Sequence, residues 1–147
     1  MKFSEGKVGR VFVLKLDDGD KIPDVIETFA TERGVRQGMC ILVGGINSGG
    51  RIVAGPEKGD DTPVVPMLFP LPGIHEILAV GTIFPDESGA PGLHMHGALG
   101  RGRNTLAGCV RPGIKTWKIG EVVLLEILGT SAVRKKDAKT GFSILEP

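Results

Sequence analysis

The residues most able to do chemistry are His94 and His96, set one residue apart in Gly92-Leu93-His94-Met95-His96-Gly97, with Cys109 thirteen positions beyond the second histidine. Two imidazoles and a thiol are borderline and soft donors, the types that bind zinc and its first-row neighbours. In a β-strand, residues i and i+2 leave the same face, so His94 and His96 project together while Met95 points away. If Leu93 to Arg101 and Asn104 to Val110 form a hairpin closed by Gly102-Arg103, Cys109 falls opposite His96. Directly opposed residues share a face with Cβ atoms about 5 Å apart, which gathers all three side chains into one cluster. Such a set with a fourth position left open suits zinc, either catalytic or completed by another chain. Copper, nickel and iron also take imidazole, and the spacing selects none of them. Without a metal, the histidines would line a polar pocket or titrate near neutrality.

Four further side chains bear on such a site. Glu76 and Glu126 sit inside apolar runs, where an unpaired carboxylate is costly. Each should therefore meet an arginine, a backbone donor or the metal site, and beside the histidines either would serve as a fourth ligand or a general base. Glu76 has the less regular neighbours and fits a solvent-facing position as well. Arg101 and Arg111 are the candidates for holding an anion.

Elements that could position these residues are legible along the chain. Val8 to Leu16 reads as a well-buried strand, followed by a turn over Asp17 to Asp20. Ile22, Val25, Ile26, Phe29 and Ala30 recur at helical spacing, with Pro23 in the first turn and Gly34 as a stop, so the main helix is expected over Ile22 to Arg33. Met39 to Ile46 is a second strand, and Asn47-Ser48-Gly49-Gly50 reads as a hairpin turn into a short strand over Arg51 to Ala54. Pro56 to Pro66 is a polar surface loop. Strands follow at Val64 to Phe69, Ile74 to Phe84, Leu93 to Leu99, Thr105 to Val110 and Glu121 to Leu128, with Phe142 to Leu145 as an edge strand. The expected class is α+β, a mixed, largely antiparallel bent sheet with one main helix.

Composition sets outer limits. The 147 residues, 41% hydrophobic, fit one globular domain over 1–147. Lysine and arginine number 18 against 17 acidic residues, and a net charge of +1 gives no overall field toward nucleic acid or membranes. Two distant cysteines, Cys40 and Cys109, make no disulfide framework, and the start carries no secretory pattern, so a cytoplasmic protein is expected. The apolar run Val122 to Leu128 is far too short to cross a bilayer. Several enzyme classes drop out. A cupin would place a glutamate shortly after its histidine pair, and Gly97 to Arg103 contains none. A zinc deaminase would need His-x-Glu and Pro-Cys-x-x-Cys. There is no Gly-Lys-Ser/Thr phosphate loop and no Gly-x-Ser-x-Gly elbow.

Taken together, Phe12 to Leu16, the helix Ile22 to Arg33, Val43-Gly44-Gly45-Ile46, His75-Glu76-Ile77-Leu78 with Gly81-Thr82, Leu93-His94-Met95-His96 and Gly120-Glu121-Val122-Val123 resemble the PPC domain, also called DUF296. The resemblance spans nearly the whole chain. It implies a homotrimer, for which Val122 to Leu128 would supply an interface strand, and DNA-associated roles such as those of the plant proteins that join this domain to AT hooks. In many prokaryotic members a Gly-Gly-His segment follows the histidine strand, so Cys109 in Ala107-Gly108-Cys109 would stand in for a third histidine. The family is similar in fold to acetolactate decarboxylase, a zinc enzyme. That likeness implies, as an alternative to a binding or regulatory role, lyase or decarboxylase-like chemistry on a small anionic molecule. An AT hook itself is missing, because Arg101-Gly102-Arg103 runs into Asn104 without the proline and basic flanks. Arg134, Lys135, Lys136 and Lys139 form a small basic cluster broken by Asp137 and read as a surface loop.

Overall fold

The structure is a computed structural model and describes residues 1–59 and 63–147. Its elements run β1 (Lys7–Leu16), α1 (Ile22–Glu32), β2 (Gly38–Ile46), β3 (Arg51–Pro56), β4 (Pro66–Pro70), β5 (His75–Pro85), β6 (Pro91–Arg101), β7 (Asn104–Val110), β8 (Thr116–Leu128), β9 (Val133–Lys136) and β10 (Ser143–Glu146). The first eight strands form one open sheet in the order β1-β8-β2-β5-β6-β7-β3-β4, and β9 and β10 form a separate ribbon. The strand pairings are antiparallel.

Helix α1 forms where the apolar spacing places it, with Pro23 in its first turn and Ile22, Ile26 and Ala30 buried. Its last turn closes when Arg33 N–H donates to Phe29 O and Val35 N–H to Ala30 O. The helix covers one face of the sheet, and the alternation of each strand delivers side chains to it: Leu42 and Ile46 from β2, Ile77 and Ala79 from β5, Met95 and Leu99 from β6, and Val122 and Leu124 from β8. Fully burying one such aliphatic side chain stabilises by about 1.5–3 kcal/mol. None of the helices is long and apolar enough to cross a membrane among the described residues.

Four local expectations need correction. The strand over Val8 to Leu16 is not well buried: β1 is an edge strand that turns only one face to the core and leaves Val8, Val11 and Val13 exposed. Asn47 to Gly50 is a turn but not a hairpin, because both edges of β2 are already taken by β5 and β8 while β3 pairs with β4 and β7. The turn is held instead by Leu71, which accepts from Gly49 N–H and donates to Gly50 O. Strand β8 begins at Thr116, five residues before the expected Glu121. A bulge hides that start: Lys118 has φ of +60°, and Asp18 accepts from both its backbone N–H and its ammonium group. Finally, the basic cluster at Arg134 to Lys136 is strand β9, paired with β10 through a turn in which Asp137 caps Thr140 N–H. The loop expected across Pro56–Pro66 lies partly outside the described residues, and its two end prolines face each other as partners in β3 and β4.

Candidate metal centre

Strands β6 and β7 meet through the two-residue loop Gly102-Arg103. Gly102 sits at φ +62°, while Arg103 keeps a negative φ, the pattern of a type II′ turn. This fixes the register from Arg101↔Asn104 down to His96↔Cys109. On the far side of β7, Val53 pairs with Cys109. A Cβ at Gly108 would lie 2.3 Å from Val53 O, so only glycine lets β3 close against the strand beside the cysteine.

One Nε2 to Nε2 distance of 3.1 Å separates His94 from His96, and the rings meet edge to face with centroids 4.9 Å apart. The candidate donor atoms of His94, His96 and Cys109 all lie within 4.8 Å of one another. The histidines are exposed and Cys109 is buried. Two neutral imidazoles can hold this distance with one donating and the other accepting. A bound cation would take both nitrogens instead, and 3.1 Å is close to the ~3.3 Å edge of a tetrahedron with metal–nitrogen bonds of 2.0–2.1 Å. The donor set therefore fits a metal. His94 is held below the usual histidine pKa, first by burial of part of its ring, then by the neighbouring charge of His96 and the positive fields of Arg134 and Arg111. A ligand nitrogen must be free of its proton, so this shift favours coordination.

The other singled-out residues separate. Arg111 lies near enough for its charge to act on His94. Glu76, opposite Gly100 in the β5–β6 pairing, is exposed and lies well along the strand from Val80, the partner of His96. Arg101 is at the loop end of β6, five residues or about 17 Å of strand from His96, and donates to Ile74 O at 3.0 Å. Glu126 is buried on the helix-covered side, where Arg10 grips it through Nε at 2.8 Å, through Nη2 at 2.6 Å and through its backbone N–H at 3.1 Å. These donors, the guanidinium hydrogen bonds foremost, pull its pKa down to about 2. The third histidine, His75, is buried with Nδ1 3.1 Å from Gly73 O, away from the cluster.

Sequence reasoning missed Arg134. From β9 its guanidinium donates to Gly92 O, to Thr82 O at 2.9 Å and to Thr82 Oγ1 at 2.9 Å, and stacks 5.6 Å over Phe84. Thr82 is the cross-strand partner of His94, so the ribbon is fastened beside the cluster. Nothing near Arg134 in the chain signals this, because its partners lie 42 and 52 residues away.

The cluster also belongs to a larger surface. Reading across the sheet, Val13, Val123, Ile41, Val80, His96 and Cys109 form one row of paired residues on the side away from the helix. Val13 is 80% exposed and Val80 48%, with Ile41 and Val123 also exposed, and Val43 and Leu78 continue the apolar surface in the next row.

The model of the Plants and Prokaryotes Conserved (PCC) domain matches residues 3–128. No protein of curated function shows significant sequence similarity to the chain. Among solved structures, a plant- and prokaryote-conserved (PPC) protein from Pyrococcus horikoshii superposes with a TM-score of 0.84 at 21% identity, covering 100% of this chain and 98% of that one. A metal-containing protein from Archaeoglobus fulgidus gives a TM-score of 0.85 at 25% identity, with 100% of both chains covered. A candidate DNA-binding protein from Bacteroides thetaiotaomicron gives 0.76 at 18% identity, with 96% of each chain covered.

Proposed function

The chain belongs to the Plants and Prokaryotes Conserved domain family, and from that premise we propose that it is a metal-binding protein that assembles as a homotrimer, with His94, His96 and Cys109 as the metal ligands. The observation that carries the metal reading is the convergence of three donor atoms within 4.8 Å. The metal-containing relative from Archaeoglobus fulgidus, of the same fold over its full length, supports it. Zinc is the first choice for two imidazoles and a thiolate, with other divalent transition metals next. Such an ion would supply a Lewis-acidic centre with one position open to a ligand. The chain's own part is to hold His94 unprotonated, to present Cys109 from a closed strand pair and to brace the β5–β6 pair through Arg134.

The homotrimer is supported by the apolar row beside the cluster. Leu78, Val80, Val13, Val43 and Ile41 are large aliphatic residues left in water by the isolated chain, which soluble proteins rarely tolerate as a contiguous patch. A closed symmetric ring would cover it. The role that best fits is binding or regulation. DNA association is the partner class that the Bacteroides relative brings forward. Metal-dependent chemistry on a small anion, lyase or decarboxylase-like, is the second reading, since an ion held by only three side chains would leave a position for a substrate.

Metal analysis of protein purified without chelators tests the reading. One equivalent per chain is expected, falling to a small fraction in His94→Ala and Cys109→Ala, while light scattering gives three times the chain mass. Substoichiometric metal in the parent, or a monomer, would count against it. Duplex DNA binding that weakens steeply as salt rises would support the DNA partner, and its absence at low salt would remove it.

A further inference from the structure

Charge around the three donors is one-sided. The β6–β7 pairing ends at His96 and Cys109, and the exposed Arg111 follows two residues beyond Cys109, just past the end of β7, where its charge acts on His94. Thr82 is the cross-strand partner of His94, and Arg134 is bound to it. Arg134 spends its hydrogens on Thr82 and Gly92. Arg111, by contrast, has neither an ion pair nor a hydrogen-bond partner for its guanidinium among the described residues. Glu27, whose charge acts on Arg134, is itself held by Leu93 N–H at 2.7 Å. A divalent cation bound by two neutral imidazoles and one thiolate keeps a charge of about +1. Two guanidinium groups then add to it, one of them with its donors free. No side chain among those identified near the donors supplies the balancing anion.

Building on the metal reading above, the geometry points to a small oxyanion, carboxylate or phosphate, as the ligand of this centre, with Arg111 as the residue that binds it. A guanidinium presents parallel N–H donors matched to the two oxygens of either group, and a charge-assisted pair of this kind is about twice as strong as a neutral one. Arg134 is the positioning residue: it fixes Thr82 beside His94 and adds field, but its own donors are committed. The binding side chain, Arg111, lies within the family-matched region, and Arg134, which braces Thr82 beside His94, comes from the ribbon beyond.

Cobalt(II)-substituted protein gives a test with a spectroscopic readout. Its thiolate charge-transfer band reports Cys109, and its visible d–d bands report the fourth position. Titration with lactate and, separately, with inorganic phosphate is expected to shift the d–d bands saturably, the tighter of the two naming the chemistry. Arg111→Ala should keep the cobalt stoichiometry and the thiolate band yet bind the anion at least about tenfold more weakly, with Arg111→Lys recovering part of the loss. Arg134→Ala should weaken it less. A parent spectrum indifferent to both anions, or an unchanged affinity in Arg111→Ala, overturns the inference and leaves the metal site standing. Failure to take up cobalt would instead overturn the metal reading, and the anion site with it.

Discussion

The two faces of the eight-stranded sheet come from the same strands, yet they do different work. Along β5, Ile77 and Ala79 enter the core beneath α1, while Leu78 and Val80 point outward and remain exposed. An ordinary solvated face would put polar residues at those outward positions. Here both faces are apolar, and only one is covered within the chain. The covered face also contains its charge neatly: Glu126 is buried but satisfied by Arg10. The open face carries the cluster of His94, His96 and Cys109, whose donor atoms lie within 4.8 Å of one another. The difference teaches that the first face completes the core within the chain, while the second leaves an apolar surface and a donor cluster uncovered, which is where the proposed assembly and metal binding would act.

Substitutions on each face should therefore separate cleanly. The largest effect is expected on the open face from His96→Ala, which should weaken metal binding by more than about a hundredfold, since even indirect supports of a ligand are worth about 10–100-fold. Its melting temperature without added metal should hardly change. On the covered face, Leu42→Ala should cost about 2–5 kcal/mol in chemical denaturation while leaving metal stoichiometry and assembly mass unaltered. Loss of assembly in that variant would blur the distinction between the faces. Val80→Asp puts a charge in the middle of the exposed row and should shift the mass toward the monomer in sedimentation, with a native circular dichroism spectrum.

The smallest effect is a matter of pH. Glu126 has its pKa lowered from 4.5 to about 2, mainly by the Arg10 hydrogen bonds. A depressed carboxylate contributes stability that is complete above the unfolded value and is lost as pH falls toward the folded one. Stability of the parent should thus decline between about pH 4.5 and 2, and Glu126→Gln should flatten that part of the curve. An identical decline in the variant would assign the acid sensitivity elsewhere.

What could be read from the chain depended on how local its cause was. The β6–β7 register was legible because a glycine-led two-residue loop allows one pairing, and that alone places Cys109 opposite His96. Helix α1 was legible because its apolar spacing and its stop lie within a dozen residues. The turn at Asn47 to Gly50 was correctly a turn, but turn chemistry does not say which strands will pair, and β2 found longer partners. The start of β8 was hidden by a bulge whose cause, Asp18, lies 100 residues earlier. Arg134 was invisible for the same reason, since a basic residue in a short strand looks like any solvated one until Thr82 is folded against it. Glu76 and Arg101 drew notice by type, and the fold carries them to the far end of β5 and β6, where they line a shallow cleft of about 410 Å³ with His75.

X-ray absorption at the zinc edge of zinc-loaded protein tests the central claim most directly. Two nitrogen scatterers at about 2.0–2.1 Å with imidazole signatures and one sulfur at about 2.3 Å are expected, the sulfur vanishing in Cys109→Ala. A shell of light atoms alone, with no sulfur and no imidazole pattern, would contradict it.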